Sequence, residues 1–294
     1  MDARARTAAR RAPEEAAAGR AAQTLVLEPG RADAAYWRDL WRYRELFAVL
    51  AWRDIAVRYK QSVIGVAWAL IRPFLTMVVF TVIFGRLAGL PTEGDVPYPV
   101  MVFAGMLPWF LFSTILADAS QSLVSNALMI RKVYYPRIIT PAAASIVALV
   151  DFGISLLLLF VLMAVYGVAP GWQILLLPVF LAYGLAAALG PALVFAALGV
   201  AFRDVRFIVP FVIQFGLYVS PVGFSSDVVP ERWLWLYGLN PMVSVIDGFR
   251  WCLLGGQSSP DPVSAVLGAL VVALMLWLGI RTFRRGERSF ADVV

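Results

Sequence analysis

The sequence has no histidine and a single cysteine, Cys252. Without imidazole there is no Ser-His triad, no histidine base and no histidine metal ligand. One thiol permits neither an intrachain disulfide nor a thiolate metal cluster. Charge is scarce as well: Asp, Glu, Lys and Arg make up 15% of the 294 residues, against about 25% in an ordinary soluble domain. So little polar surface cannot cover a water-facing globule, and the same composition excludes a disordered chain, a collagen-like repeat and a disulfide scaffold. Only two lysines occur, Lys60 and Lys132. Neither lies in a G-x-x-x-x-G-K-[ST] pattern, so that type of nucleotide-binding loop is absent.

Apolar residues are abundant, at 61% of the chain. A helix needs about 20 mostly apolar residues to cross the hydrocarbon core. Six stretches meet or approach that length: 64–84, 100–120, 141–166, 172–202, 207–224 and 263–283. In the fourth, Pro178 and Gly190-Pro191 mark break points. The fifth holds Pro210 and Pro221 and is short enough to divide into two half-helices. All six are apolar on every side, whereas barrel strands would alternate over about ten residues. The expected fold class is an all-α membrane protein with six transmembrane helices.

Lys and Arg fix the expected orientation. Twelve precede the first stretch, three lie between the second and third, two between the fourth and fifth, and four in the tail. The opposite side receives only Arg86, Arg232 and Arg250, and Arg72 lies within the first stretch. Both termini are therefore expected in the cytoplasm, with the chain in the inner (cytoplasmic) membrane. The net charge of +6 reads as a topology signal and a contact with anionic membrane lipids. Basic residues spread over every loop, without one patch, argue against nucleic acid.

Residues 1–35 read as a mobile basic extension; they lack the apolar core of a cleaved signal peptide. Residues 36–60 form an expected amphipathic interface helix and the approach to the first span, and 61–294 the six-span domain. Tyr36, Trp37, Leu40, Trp41, Tyr43, Phe47 and Leu50 share one broad helical arc opposite Arg38, Asp39, Arg42 and Glu45. Such a helix lies in the headgroup plane. Between the fifth and sixth stretches, two short amphipathic helices separated by Asn240-Pro241 are expected at the outer (periplasmic) face. They carry Trp233, Trp235, Tyr237, Phe249 and Trp251, which read either as an aromatic belt or as re-entrant gate helices. Asp118 and Asp151 are the carboxylates within the spans. Two do not make the relay of a proton-driven carrier, nor is there a nucleophile–base pair or metal site for an intramembrane enzyme. The energy is expected from a separate ATP-hydrolysing subunit.

Several segments resemble a known family, the membrane permeases of type-2 ABC exporters for O-antigen, capsular polysaccharide or teichoic acid. They are W-R-D-I-A-V-R-Y-K-Q-S-V-I-G-V-A-W at 52–68, F-A-G-M-L-P-W at 103–109 and N-A-L-M-I-R-K-V-Y-Y-P-R-I-I-T-P at 126–141. F-R-D-V-R at 202–206, L-N-P-M at 239–242 and F-A-D-V at 290–293 complete the set, in order, from about Tyr36 to the end. The resemblance implies a homodimer with two copies of a nucleotide-binding ATPase, which would hold ATP and Mg; this chain would hold no cofactor. It also implies a lipid-diphosphate-linked glycan as cargo. The alternatives are an ABC permease for drugs or lipids, or a carrier or scaffold needing no ATPase.

Trp37, Trp41, Trp68 and Trp109 are candidate pathway residues, because aromatic rings stack on sugars without demanding one identity; packing and interface anchoring are their ordinary roles. Arg72 lies about 12 Å into the first span. It has three readings: snorkelling, pairing with Asp118 or Asp151, or meeting the substrate diphosphate. In the segment 122–136, Leu123, Ala127 and Ile130 share a helical face, with Arg131 and Lys132 at its end. That face is expected to insert into the ATPase as a coupling element; the alternative is charge that sets topology and has no partner.

Overall fold

The computed structural model describes residues 33–60, 66–256, 259–287 and Phe290. The chain divides into two compact units, residues 1–39 and 40–294. The extension expected over 1–35 lies almost wholly outside the described residues, as do 61–65 of the first family-like segment and 291–293 of the last.

The described elements are helical throughout. Helices α1 (Asp33–Arg42) and α2 (Arg44–Lys60) replace the single interface helix expected within 36–60, with a turn at Tyr43 between them. Helix α3 (Val66–Phe80) continues as a wider π-helical segment, Thr81–Leu87. Next come α4 (Tyr98–Ser125), the short α5 (Ala127–Lys132) and α6 (Ile139–Tyr166), which ends on Gly167 at φ +71°. A 3-10 turn, Trp172–Leu176, leads into α7 (Leu177–Ala201), followed by α8 (Val205–Val219). Helices α9 (Glu231–Tyr237), α10 (Pro241–Leu253) and α11 (Pro262–Gly286) complete the chain.

Among the described residues, five helical stretches are long and apolar enough to cross a membrane: Ala67–Leu87, Tyr98–Ser125, Ile139–Tyr166, Trp172–Ala201 and Pro262–Gly286. The fifth expected span, 207–224, is the shorter α8, whose 15 residues reach about 22 Å, less than the ~30 Å core. It is one helix and does not divide at Pro210; it stops at Ser220, just before Pro221. Of the two expected break points in the fourth span, Pro178 marks the change from the 3-10 turn to the α-helix, and Gly190-Pro191 makes no break. Pro178 sits in the first turn of α7, where its missing N–H costs nothing, and Pro191 lies inside a continuous helix.

Helix α4 is the buried centre, packed against α6, α7, α8 and α10. Around it, α7 and α11 come together backbone to backbone. A Cβ on Gly190 would stand 2.8 Å from the Leu276 nitrogen, a close approach that only small residues permit. Exposed apolar stripes mark the outer faces: Leu157, Val161 and Val165 on α6, and Val266, Leu270, Leu274 and Trp277 on α11. Residues four apart share a helix face, so each stripe is one continuous apolar surface, suited to lipid or to another apolar helix.

Candidate functional site: a charged cavity among the spans

A cavity of about 150 Å³ lies among α2, α3, α4 and α6. Its polar lining consists of Arg58 and Tyr59 from α2, Arg72 from α3, Thr114 from α4, and Asp151 and Ser155 from α6. The apolar wall includes Trp68, Phe110 and Phe152. Asp151 lies about 18 Å along α6 from its start, and Asp118 about 10 Å from the end of α4. Charges at such depth are costly, and mark ion or substrate routes unless paired for structure alone.

Arg58 does the pairing. Its Nη1 donates to Asp118 Oδ2 at 2.9 Å and its Nη2 meets Asp151 Oδ2 at 3.0 Å. The Tyr59 hydroxyl donates to the other Asp151 oxygen. Burial, then the Asp151 bond, pushes the Tyr59 phenol well above its usual range, so it stays a donor. One end of α2 is thus fastened to two spans at once. Of the three readings of Arg72, pairing with Asp118 or Asp151 is not the one seen, because Arg58 engages both carboxylates. Arg72 instead lies with its guanidinium carbon 5.8 Å from the Phe110 ring centre, on the cavity wall. Among the described residues it has no carboxylate partner.

The other pathway candidates separate. Trp68 lines the cavity and is exposed. Trp41 is exposed, with the Arg44 guanidinium 5.7 Å from its ring, and does not reach the cavity. The Trp37 side chain lies outside the described residues. Trp109 is buried beside Phe112, and a Cβ on Gly216 of α8 would stand 2.7 Å from its ring. It is a packing residue that locks α4 to α8, not part of the cavity wall.

At the opposite end of the bundle, α9 and α10 form the expected helix pair, divided at Asn240-Pro241. The Asn240 side chain accepts from the Met242 N–H and donates to Ser220 Oγ. This N-cap ties the pair to the end of α8. Trp233 and Trp235 are exposed; Tyr237 is half-buried. Phe249 is fully buried, edge-on to Phe152 at 5.8 Å, and Trp251 meets Trp172 edge-on at 6.0 Å. In this conformation Phe249 is core, so of the five gate candidates it is the one that lines no surface.

Sequence reasoning counted Arg250 as an outer-loop charge, yet it is fully buried. It pairs with Glu93 at 3.0 Å and donates to the carbonyls of Met101, Val222 and Phe224. Those groups belong to α4, the segment before it and the segment after α8, so one side chain binds three segments. A Cβ on Gly105 would come within 2.8 Å of the guanidinium. The signal was an arginine four residues after Ile246 on the apolar side of α10, where a charge needs an internal partner.

The expected coupling face is also turned around. Leu123 belongs to the last turns of α4, and both it and Ile130 are buried in this chain's own packing. Ala127 is half-buried. The side chains presented outward are Val124, Leu128, Arg131, Lys132, Val133 and Tyr134. The junction at Asn126 is held by Arg53 of α2, whose Nη2 donates to Asn126 Oδ1 at 2.8 Å. Beyond α5, the Arg137 N–H donates to Glu287 Oε1 at 2.7 Å, and the Arg137 guanidinium to the Glu287 carbonyl. Phe290 packs edge-on to Phe283 at 5.3 Å. The segment is therefore braced on both sides, by α2 and by the end of α11.

Residues 45–254 match the family of ABC-2 type transporters. An O-antigen export system permease protein, RfbA, of Myxococcus xanthus is 29% identical over 261 residues, covering 87% of this chain and 98% of that protein. RfbA of Klebsiella pneumoniae is 26% identical, covering 85% and 95%. The polysialic acid transport protein KpsM of Escherichia coli is 25% identical, covering 81% and 92%. With most of its length matched and its helices spanning in series, this chain is a membrane protein of the ABC-2 type transporter family.

Proposed function

We propose that the chain is the permease subunit of an ABC exporter for a lipid-linked polysaccharide, such as O-antigen or a similar cell-surface glycan. It works as a homodimer with two copies of a separate ATPase that holds ATP and Mg. The complex sits in the cytoplasmic membrane with both termini in the cytoplasm, on the side where Lys and Arg concentrate. The observation that carries the reading is the cavity. Arg72 and Arg58 line it at the depth where a charged headgroup would pass, and Trp68 borders it. The names of the relatives supply the cargo class.

Two guanidinium groups suit a diphosphate, to which each can offer two parallel N–H donors. Trp68 and Trp41 offer flat apolar faces to sugar or lipid. At the other end, Trp233, Trp235, Tyr237 and Trp251 form the outer gate. Leu128, Val133 and Tyr134, with Arg131 and Lys132 at the rim, make the docking surface for the ATPase: apolar side chains for a cleft, charge around it.

The test is purification of the chain with an ABC ATPase of polysaccharide-export type, followed by ATP hydrolysis with and without polyprenyl-diphosphate-linked glycan. Stable co-purification and glycan-stimulated hydrolysis are expected. Stimulation by lipid or drug without glycan would move the reading to a lipid or drug permease, and failure to associate with the ATPase would overturn it.

A further inference from the structure

Resting on the reading above, we propose that Arg58 is a displaceable latch: a diphosphate headgroup entering the cavity takes Arg58 from Asp118 and Asp151, and so releases α2 from α4 and α6. Two guanidinium groups, Arg58 and Arg72, and two carboxylates, Asp118 and Asp151, make the empty cluster neutral. A diphosphate brings negative charge beside Asp151, which lines the same cavity. The carboxylates and the anion then compete for one guanidinium, and like charges this close repel, most at Asp151, the less exposed of the two carboxylates.

The geometry decides which contact yields. Arg72 has no carboxylate partner among the described residues, so it meets the anion without breaking an ion pair. Arg58 gives both terminal nitrogens to carboxylates, at 2.9 and 3.0 Å, so a phosphate that takes either of those N–H groups takes it from Asp118 or Asp151. Its side chain is already 39% exposed, so it can turn without being extracted from a core. Asp151 keeps the Tyr59 hydroxyl until α2 moves; once Arg58 has gone, that bond is the remaining polar contact of the cluster between α2 and α6.

The anion shifts α2 because it binds the released arrangement better than the latched one, as any ligand-driven change requires. The consequence reaches beyond the cavity. Arg53, one helical turn and a half earlier on α2, holds Asn126 at the base of α5. Movement of α2 therefore carries to the segment whose outward residues face the ATPase, and headgroup arrival is reported there through a single rigid helix.

Amide hydrogen exchange tests the latch in the intact complex with its ATPase, in lipid discs, read on peptides covering 44–60. The probes are polyprenyl diphosphate, soluble inorganic pyrophosphate and uncharged polyprenol. Binding of the labelled lipid is measured separately. Exchange of α2 is expected to rise several-fold with polyprenyl diphosphate and to stay unchanged with polyprenol. The same rise with pyrophosphate means that the anion alone springs the latch; no rise with it means that the lipid headgroup must deliver the anion.

Asp118→Asn with Asp151→Asn should show fast exchange without any probe, while Arg72→Ala should bind polyprenyl diphosphate about tenfold less tightly. Lipid that binds, with weakening in Arg72→Ala but no change in α2 exchange, would overturn the latch and leave the export reading standing. Lipid that does not bind at all would remove both.

Discussion

At the residue scale, the arginines divide by partner. Arg58 and Arg250 each bind several groups, but Arg250 is sealed from solvent and Arg58 is not. Arg250 has no room to move: Glu93 and three carbonyls hold it, and Gly105 leaves just enough space. Gly105→Val would drive methyl groups into that guanidinium. The overpacking should cost about 1–3 kcal/mol, and more if the Glu93 pair opens and leaves a buried charge unpaired. The expected result is a clear fall in the thermal midpoint of the detergent-purified protein, with no comparable fall for Gly153→Val, where a Cβ meets nothing within 4 Å.

Asp247 lies beside this lock on α10, buried, with Ser226 Oγ donating to its carboxylate. One guanidinium cannot neutralise two carboxylates, and Glu93 holds it. Burial pushes Asp247 up to about 7. The folded pKa then lies above the unfolded value near 4, so the folded form binds more protons between those limits. Stability is highest below the unfolded pKa, falls as pH rises toward 7, and levels off above it. Relative to the wild type, Asp247→Asn should flatten the dependence of the thermal midpoint on pH between 5 and 8. Parallel wild-type and variant curves over that range would contradict the assignment.

At the element scale, α5 is a short, braced helix and not a loose loop. Its Ile130 and the preceding Leu123 of α4 are packed within the chain, and Leu128 is its most exposed apolar side chain. A double change, Leu128→Asp with Tyr134→Asp, should leave insertion and thermal stability intact and release the ATPase from the purified complex. Leu123→Asp should instead destabilise the protein, because it buries an unpaired charge. Retention of the ATPase by the double variant would place its docking surface elsewhere.

The helices were legible because about 20 apolar residues in succession have few alternatives to a span, and Asn240-Pro241 carries both a cap and a helix start. The face of α5 was not. Residues at i, i+4 and i+7 identify a stripe but not what covers it, and here the chain itself covers Leu123 and Ile130. Arg72 kept three readings for a similar reason. Sequence gives depth along each helix, whereas the choice between Arg58 and Arg72 depends on how α2 leans against α4 and α6. The single helix expected within 36–60 failed at Tyr43, where an amphipathic pattern continues across a backbone turn.

At the scale of the whole molecule, one end carries a charged cavity and a braced, outward-facing segment, and the other carries an arginine-locked helix pair with exposed tryptophans. Helices α4, α6 and α7 join the two ends through a close-packed interior, which transmits strain instead of absorbing it. Phe152 lines the cavity and also meets Phe249 of α10. An opening at the headgroup end therefore bears directly on the helix pair at the far end.

The central claim is vectorial movement of a glycan on a diphosphate lipid. Its most direct measurement uses sealed vesicles containing the chain and its ATPase, with labelled lipid-linked glycan and ATP on the ATPase side. The readout is glycan that becomes sensitive to a glycosidase trapped inside. The account predicts ATP-dependent transfer that Arg72→Ala reduces at least severalfold while the ATPase stays bound. Active ATP hydrolysis with no glycan reaching the interior would contradict it.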